Sequence, residues 1–394
     1  MTMRGKAMRA GATVAAMVTA FGLAHASPAL ASPSATPGAR AAAPAAPDGG
    51  YQEQIDAYRN ASGSIGAMAT VRHGDEVVGF GSGSAQLAPP VALGADTHFR
   101  MGSQTKMFTA SIVLQLADEG KVDLDAPIER YLPGVVHGKD LDPNAITVRQ
   151  LLQHRSGIKD NLGFVNGDYF QTAKLLLNPV WQIVPPTEQQ MVDEGTEYGK
   201  QFDPGTQGVY SNTNFTILGM LAEKLTGSDM STLIKTRIID RVGMPATFFP
   251  KPGQKDLPEP YARGYLSVKG APFADVSNFE PAVWGSAAAL VSTGRDMTKF
   301  INALVGGQVV SQARLAEMQH TLPVTAGVGD YGLGLVKFKT ACGIAWGHTG
   351  SVAGYSTETV GDGERSLSVG INNTPVIADQ TDAMQKMVDK ALCG

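Results

Sequence analysis

The rhythm of apolar and polar positions changes several times along the chain. Residues 10–24 form a nearly unbroken apolar run, preceded by Arg4, Lys6 and Arg9 and followed by two small-x-small sites, Ala24-His25-Ala26 and Ala29-Leu30-Ala31. This predicts a secretory signal peptide over residues 1–31, cut after Ala31. Residues 32–50 are Ala, Pro, Ser and Gly with almost no large apolar side chain. Such a stretch buries too little surface to offset the entropy of ordering it, so a disordered leader is expected.

Val, Ile and Thr then flank His73-Gly74-Asp75-Glu76, which predicts strand, tight turn and strand over 64–72 and 77–84. Met107, Ala110, Ile112, Val113, Leu114 and Leu116 follow with helical period and stop before Gly120, a residue suited to the left-handed cap. Residues 125–260 read as helices between proline-rich loops, at 147–154, 187–193, 213–226 and 230–242. Strand signals return at 262–268, 331–338, 344–348, 356–360 and 366–372, with helices at 293–305 and 379–392. The sheet is therefore built from both ends of the chain. The expected fold class is α+β, with a sheet domain from 51–124 and 261–394 and a mainly helical domain at 125–260.

Composition narrows the function classes. Thirty-two basic against 36 acidic residues give a net charge of −4 without a basic patch, so nucleic acid is not an expected partner. Beyond the signal segment no apolar run approaches the roughly 20 residues of a membrane span, and residues 379–392 lack the basic apolar character of an anchor. A secreted, extracellular monomer is expected. Its two cysteines, Cys342 and Cys393, are an even number in an exported chain and are expected to pair, two separate buried thiols being the alternative. Neither stands beside His or another Cys, which argues against a metal site or thiol catalysis.

Candidate chemistry begins with Arg100-Met101-Gly102-Ser103-Gln104-Thr105-Lys106, where a serine and a lysine lie one turn apart as a helix starts. A lysine in a partly desolvated pocket can ease removal of the serine proton, as in Ser-x-x-Lys acyl-transfer enzymes. A serine capping a core helix has the same pattern. A second copy, Ser156-Gly157-Ile158-Lys159, ends a helix-like stretch and reads as a turn. Further on, Tyr210-Ser211-Asn212 precedes a helix, and nearby cations could pull the Tyr210 phenol toward neutrality for proton relay. A core tyrosine with an asparagine cap is the plain alternative. The third motif, Trp346-Gly347-His348-Thr349-Gly350-Ser351, follows a strand, and glycines there often mark close approach by a backbone or a ligand. A surface hairpin would also contain such a histidine.

Together these motifs resemble one family from about residue 64 to the end: serine penicillin-recognising hydrolases of the class C β-lactamase-like group, most closely secreted D-alanyl-D-alanine carboxypeptidases. Phe108-Thr109-Ala110, Ile146-Thr147-Val148-Arg149-Gln150-Leu151-Leu152-Gln153-His154-Arg155-Ser156-Gly157, Tyr331-Gly332-Leu333-Gly334-Leu335 and the positions of both cysteines add to the resemblance. It implies a five-stranded antiparallel sheet flanked by helices, an inserted helical domain, and a site in the groove between them. It also implies that Ser103 attacks the D-Ala-D-Ala carbonyl of a peptidoglycan stem peptide while Lys106 tunes the proton transfer. Tyr210 would then be base and acid, and Asn212 would hold the donor amide. His348 and Thr349 would face the substrate carboxylate, and the backbone N–H groups of Ser103 and Ser351 would form the oxyanion hole. Penicillins would acylate Ser103, and no cofactor or metal is needed. Trp284 falls where relatives place a cleft aromatic, with a core tryptophan as the alternative.

One departure bears on substrate. Where those carboxypeptidases carry a carboxylate-gripping arginine, this chain has Val336, with Lys337 and Lys339 nearby. On a strand Lys337 points away from Val336, and His348 is only partly charged near neutral pH. A D-aminopeptidase, D-amino-acid amidase or esterase is therefore the alternative to the carboxypeptidase. A β-lactamase is less expected from His348-Thr349-Gly350. A catalytically silent binding protein would have no reason to retain Ser103, Lys106, Tyr210 and His348 together.

Overall fold

A computed structural model describes residues 49–163, 174–175, 178–197, 199–266, 274–325, 329–374 and 380–394. The expected signal peptide and almost all of the expected leader lie outside them. The first hairpin forms as its alternation predicts: β1 (Gly66–His73) and β2 (Glu76–Gly83) pair antiparallel from Gly66↔Gly83 to His73↔Glu76. Two short strands, β3 (His98–Arg100) and β6 (Val291–Thr293), pair beside the start of the Thr105–Asp118 helix. Between them in sequence, β4 (Tyr265–Leu266) and β5 (Ala274–Asp275) form a small sheet with residues 373–374. The C-terminal part supplies β7 (Leu322–Val324), β8 (Gly329–Tyr331), β9 (Val336–Thr340), β10 (Gly343–Val352), β11 (Tyr355–Gly361) and β12 (Arg365–Ile371).

The main sheet runs β2-β1-β12-β11-β10-β9-β8-β7. Its centre joins the two ends of the chain, with β1 against β12 from Ala67↔Ile371 to His73↔Arg365. Strands β2, β1, β12, β11 and β10 fall at expected positions, and the expected strand 331–338 overlaps β8 and β9, whereas the one expected at 262–268 is only the short β4, outside the main sheet, and the sheet has eight strands rather than five. Three more extend the sheet to eight, because β9 folds back along β10 and short β7 and β8 continue the edge. Three-residue strands carry too little alternation to read. The stretch 331–338 also divides, since Leu333 and Leu335 are both fully buried in the core on the Ser103 side.

Both faces of the sheet are covered. Ala67, Ala69 and Val71 of β1 point toward the terminal helices Tyr51–Ser62 and Gln380–Cys393, while Met68 points into the larger core around the Thr105–Asp118 and Gly294–Val305 helices. Cys342 and Cys393 are bonded, tying the β9–β10 turn to the last helix. Thr147 and Thr187 each close a reciprocal capping box, with Gln150 and Gln190, at the starts of helices Val148–Leu152 and Glu188–Thr196. Among the described residues no helix is long and apolar enough to cross a membrane.

Candidate active site

After β3 the backbone turns through Gly102 into a short 3-10 turn, Gly102–Gln104, and then into the Thr105–Asp118 helix. Gly102 has φ 57, and a Cβ there would lie 2.6 Å from Ser351 N. A Cβ on Gly350 would lie 1.9 Å from Met101 O. Both positions therefore demand glycine, and β10 presses its backbone directly on the turn that carries Ser103. From His348 to Val352, β10 pairs only with β11, because its pairing with β9 stops at Gly347↔Val336. The strand edge nearest Ser103 is thus unpaired among the described residues.

Lys106 is fully buried. Its Nζ lies 3.1 Å from Ser103 Oγ, 2.6 Å from Asn212 Oδ1 and 3.0 Å from Ala287 O. The last two atoms only accept hydrogen bonds, so two N–H groups are committed to them. A neutral amine then directs its lone pair at the Ser103 hydroxyl. Burial favours that state, pushing the Lys106 pKa well below the ordinary lysine value, while the Asp160 charge opposes the shift.

Tyr210 stands just before the Asn212–Thr226 helix and is also buried, with its ring 4.7 Å from Lys106 Nζ. Burial lifts its pKa far above the ordinary phenol, although the neighbouring Ser103 hydroxyl pulls it down. The lowering expected from nearby cations is therefore reversed, since desolvation of the phenolate outweighs it. Among the described residues no group meets its Oη at full hydrogen-bond geometry, and the neutral phenol stands beside the Ser103 hydroxyl.

Two residues missed by the motifs hold this arrangement. His154, at φ 57, accepts from Val209 N through its carbonyl and from Ser211 N through Nδ1, and its ring lies 4.1 Å from that of Tyr210. It brackets Tyr210 on both sides. Asp160 Oδ1 accepts from both Asn212 N and Asn212 Nδ2, each at 2.8 Å. Asn212 is thus held between Lys106 and Asp160, leaving one Nδ2 hydrogen for a substrate carbonyl. Nothing in the spacing of Asp160 marks it, whereas His154 lies inside a stretch that carried the resemblance.

His348 is buried, not exposed as a cation. Its Nδ1 donates to Thr349 O at 2.5 Å and its Nε2 accepts from Tyr331 Oη at 3.0 Å, an assignment set by the acceptor-only carbonyl. Burial holds its pKa down at about 3. The expectation of a partly charged imidazole near neutral pH is corrected: burial favours the neutral ring, and both nitrogens are hydrogen-bonded. Thr349 is exposed and alternates to the other face, opposite Glu358. Val336 is buried with Tyr210, Val324 and Tyr331. Trp284 is a core residue rather than a cleft wall, 2 % exposed and packed on Phe279. Ser156, in the second Ser-x-x-Lys copy, donates to Asn214 Oδ1 at 2.6 Å and braces a turn. Among the described residues no three His, Cys, Asp or Glu side chains converge as metal ligands.

The chain is similar in sequence and fold to known proteins. The sequence profile of the family described as Beta-lactamase matches residues 52–380. A D-stereospecific amidohydrolase from Streptomyces sp. is 34 % identical with a TM-score of 0.76, the alignment covering 85 % of this chain and 97 % of that one. D-amino acid amidase from Ochrobactrum anthropi SV3 is 27 % identical with a TM-score of 0.73, over 85 % and 95 %. Among curated proteins, a D-aminopeptidase of Gluconobacter oxydans is 28 % identical over 82 % of this chain and 58 % of its own length. Penicillin-binding protein 4* of Bacillus subtilis is 26 % identical over 74 % and 64 %. The chain spans about half to two thirds of the length of the curated relatives it matches. With its β-lactamase/transpeptidase-like fold, the chain belongs to the β-lactamase family of serine hydrolases.

Proposed function

We propose that this protein is a D-stereospecific amidohydrolase that opens the amide bond on the carbonyl side of a D-amino-acid residue through an acyl-Ser103 intermediate. The observation that carries the chemistry is the Lys106 amine, with two N–H groups held by obligate acceptors and its third contact on Ser103 Oγ. As Oγ bonds to the carbonyl carbon, its proton passes to Lys106. When the tetrahedral intermediate collapses and the C–N bond breaks, the departing amine takes the Tyr210 proton, which Lys106 then restores. The N–H groups of Ser103 and Ser351, placed by the close contact at Gly102, are the proposed oxyanion donors. Water completes the cycle by attacking the ester.

Two findings support an amide over a free-carboxylate peptide. His348 is neutral with both nitrogens engaged, and Val336 occupies the register of the missing arginine. Of the two solved relatives described above, one is named a D-stereospecific amidohydrolase and the other a D-amino acid amidase. Hydrolysis of D-phenylalanine amide, compared with the L-enantiomer and with an acyl-D-Ala-D-Ala peptide, tests the reading. D-selective release of ammonia with little free D-alanine is expected, and the opposite preference sinks it. The second reading, a D-Ala-D-Ala carboxypeptidase acylated by penicillins, draws support from the penicillin-binding relatives and from the unpaired β10 edge, where an extended peptide could pair. Export through residues 1–31 belongs to the proposal, and N-terminal sequencing of protein from culture medium checks it.

A further inference from the structure

Lys106 is an ammonium-forming group sealed in the interior, and its three contacts are all neutral atoms. No carboxylate pairs with it directly among the described residues. The groups around it are Tyr210 before the Asn212–Thr226 helix, His154 after the Val148–Leu152 helix, and His348 on β10, with Tyr331 behind. Burial keeps all four uncharged, lowering both imidazoles and raising both phenols. The carboxyl of this cluster is Asp160, next in the chain to Lys159; burial raises its pKa, while the two Asn212 hydrogen bonds and the Lys106 charge oppose that shift and favour the carboxylate. It meets Lys106 only through the Asn212 carboxamide, whose oxygen faces the lysine and whose nitrogen faces the aspartate. The amide dipole is thereby aligned between the two. A second hydrogen bond, from Asn212 N to the same Asp160 oxygen, fixes the orientation, and the Gly163 backbone also favours the carboxylate.

We propose that Asp160 is a positioning residue for the nucleophile: acting through Asn212, it supplies the counter-charge for the ammonium that forms on Lys106 as Ser103 loses its proton. The role parallels that of an aspartate behind a catalytic histidine, with an asparagine inserted as bridge. It places Asn212 in the proton-transfer chain as well as in substrate binding. The inference rests on the acyl-serine reading above with Lys106 as base.

The sign of the effect follows from charge. Lys106 must be neutral to accept the proton, so activity rises as pH rises through its pKa. The Asp160 charge raises that pKa, so removing it moves the acid limb to lower pH. The test is the pH dependence of Ser103 labelling by a fluorophosphonate, in which the Oγ–P bond forms, fluoride leaves and the serine proton goes to Lys106. Intact mass and peptide mapping locate the label. For Asp160→Asn the acid limb is expected to fall by about one pH unit and the plateau rate by about tenfold, with Asp160→Glu restoring the wild-type position. Should Asp160→Asn not fold, Asp160→Ser removes the same charge and gives the same expected shift. A lower rate with an unmoved acid limb would mean a merely structural aspartate and overturns the inference. Wild-type protein that takes no label at Ser103 overturns the acyl-serine reading and this inference with it. Labelled wild type with an unmoved variant profile overturns only the inference.

Discussion

On one face of the sheet Val71, Leu367 and Val369 meet Ile55, Met387 and Leu392 of the two terminal helices, a mainly apolar layer that also holds Tyr58 and, near it, the Glu358 carboxyl, whose pKa burial raises to about 7. The other face buries Lys106, Asp160, Asn212, His154, Tyr210 and His348 among its apolar residues. Among the described residues, Tyr210 Oη and His154 Nε2 meet no partner at full hydrogen-bond geometry. A buried unsatisfied polar atom costs about 1–3 kcal/mol, so this layer is less stable than its packing suggests. The same burial shifts Lys106, Tyr210 and His348 toward their neutral forms, the states used in the proposed acyl transfer. One layer thus stabilises the fold, and the other is held in a strained electrostatic state by it.

The contrast can be broken most sharply at Ser103. Ser103→Ala should lower turnover by about 10⁴-fold or more and abolish fluorophosphonate labelling, while leaving the urea midpoint within experimental scatter. A loss of stability comparable to a core deletion would erase the distinction. On the opposite face Leu367→Ala should lower unfolding free energy by about 2–5 kcal/mol, with kcat/KM measured well below the melting temperature unchanged. Cys342→Ser with Cys393→Ser opens the link to the last helix and should cost about 2–4 kcal/mol, again without touching kcat/KM. A fall in activity for either variant would show that the two layers are coupled.

The smallest expected effect concerns a polar group on the site side but away from Ser103. Glu188 lines a cavity of about 520 Å³ with Glu223, and burial together with that like charge lifts its pKa to about 8. Its folded pKa lies above the unfolded value near 4.3. The protonated carboxyl therefore stabilises the fold at low pH, and this contribution is lost as pH rises from about 4.3 through about 8. Glu188→Gln, which imitates the protonated acid, should raise stability by about 1–2 kcal/mol at pH 9 and hardly at all at pH 5. Parallel melting curves at the two pH values would refute it.

Much of this was legible in the sequence. The hairpin around Gly74, the helix after Ser103, the central strands and the bonded cysteines follow from alternation, helical period and cysteine count. The three motifs located the neighbourhood of Lys106, Tyr210 and His348 because short spacings survive folding. What escaped was set by burial. The phenol of Tyr210 and the imidazole of His348 read as groups tuned by charge, yet desolvation fixes both, and local sequence does not report depth. Asp160 lies in a loop, and its contact with Asn212 spans 52 residues, so no pattern could announce it. Trp284 was ambiguous for the same reason, since a large aromatic suits a cleft or a core equally well.

The glycines at 102 and 350 have a mechanical consequence. By letting β10 and the Ser103 turn touch backbone to backbone, they make the nucleophile and the proposed oxyanion donors one rigid body, with no side chain between them to act as a spring. Tyr210 and Asn212 arrive from a different segment, steadied by His154 and Asp160. Thermal breathing of the molecule would therefore alter the distance over which the proton travels far more than the cradle for the developing oxyanion. Temperature or viscosity should then act on proton delivery before it acts on the grip on the carbonyl.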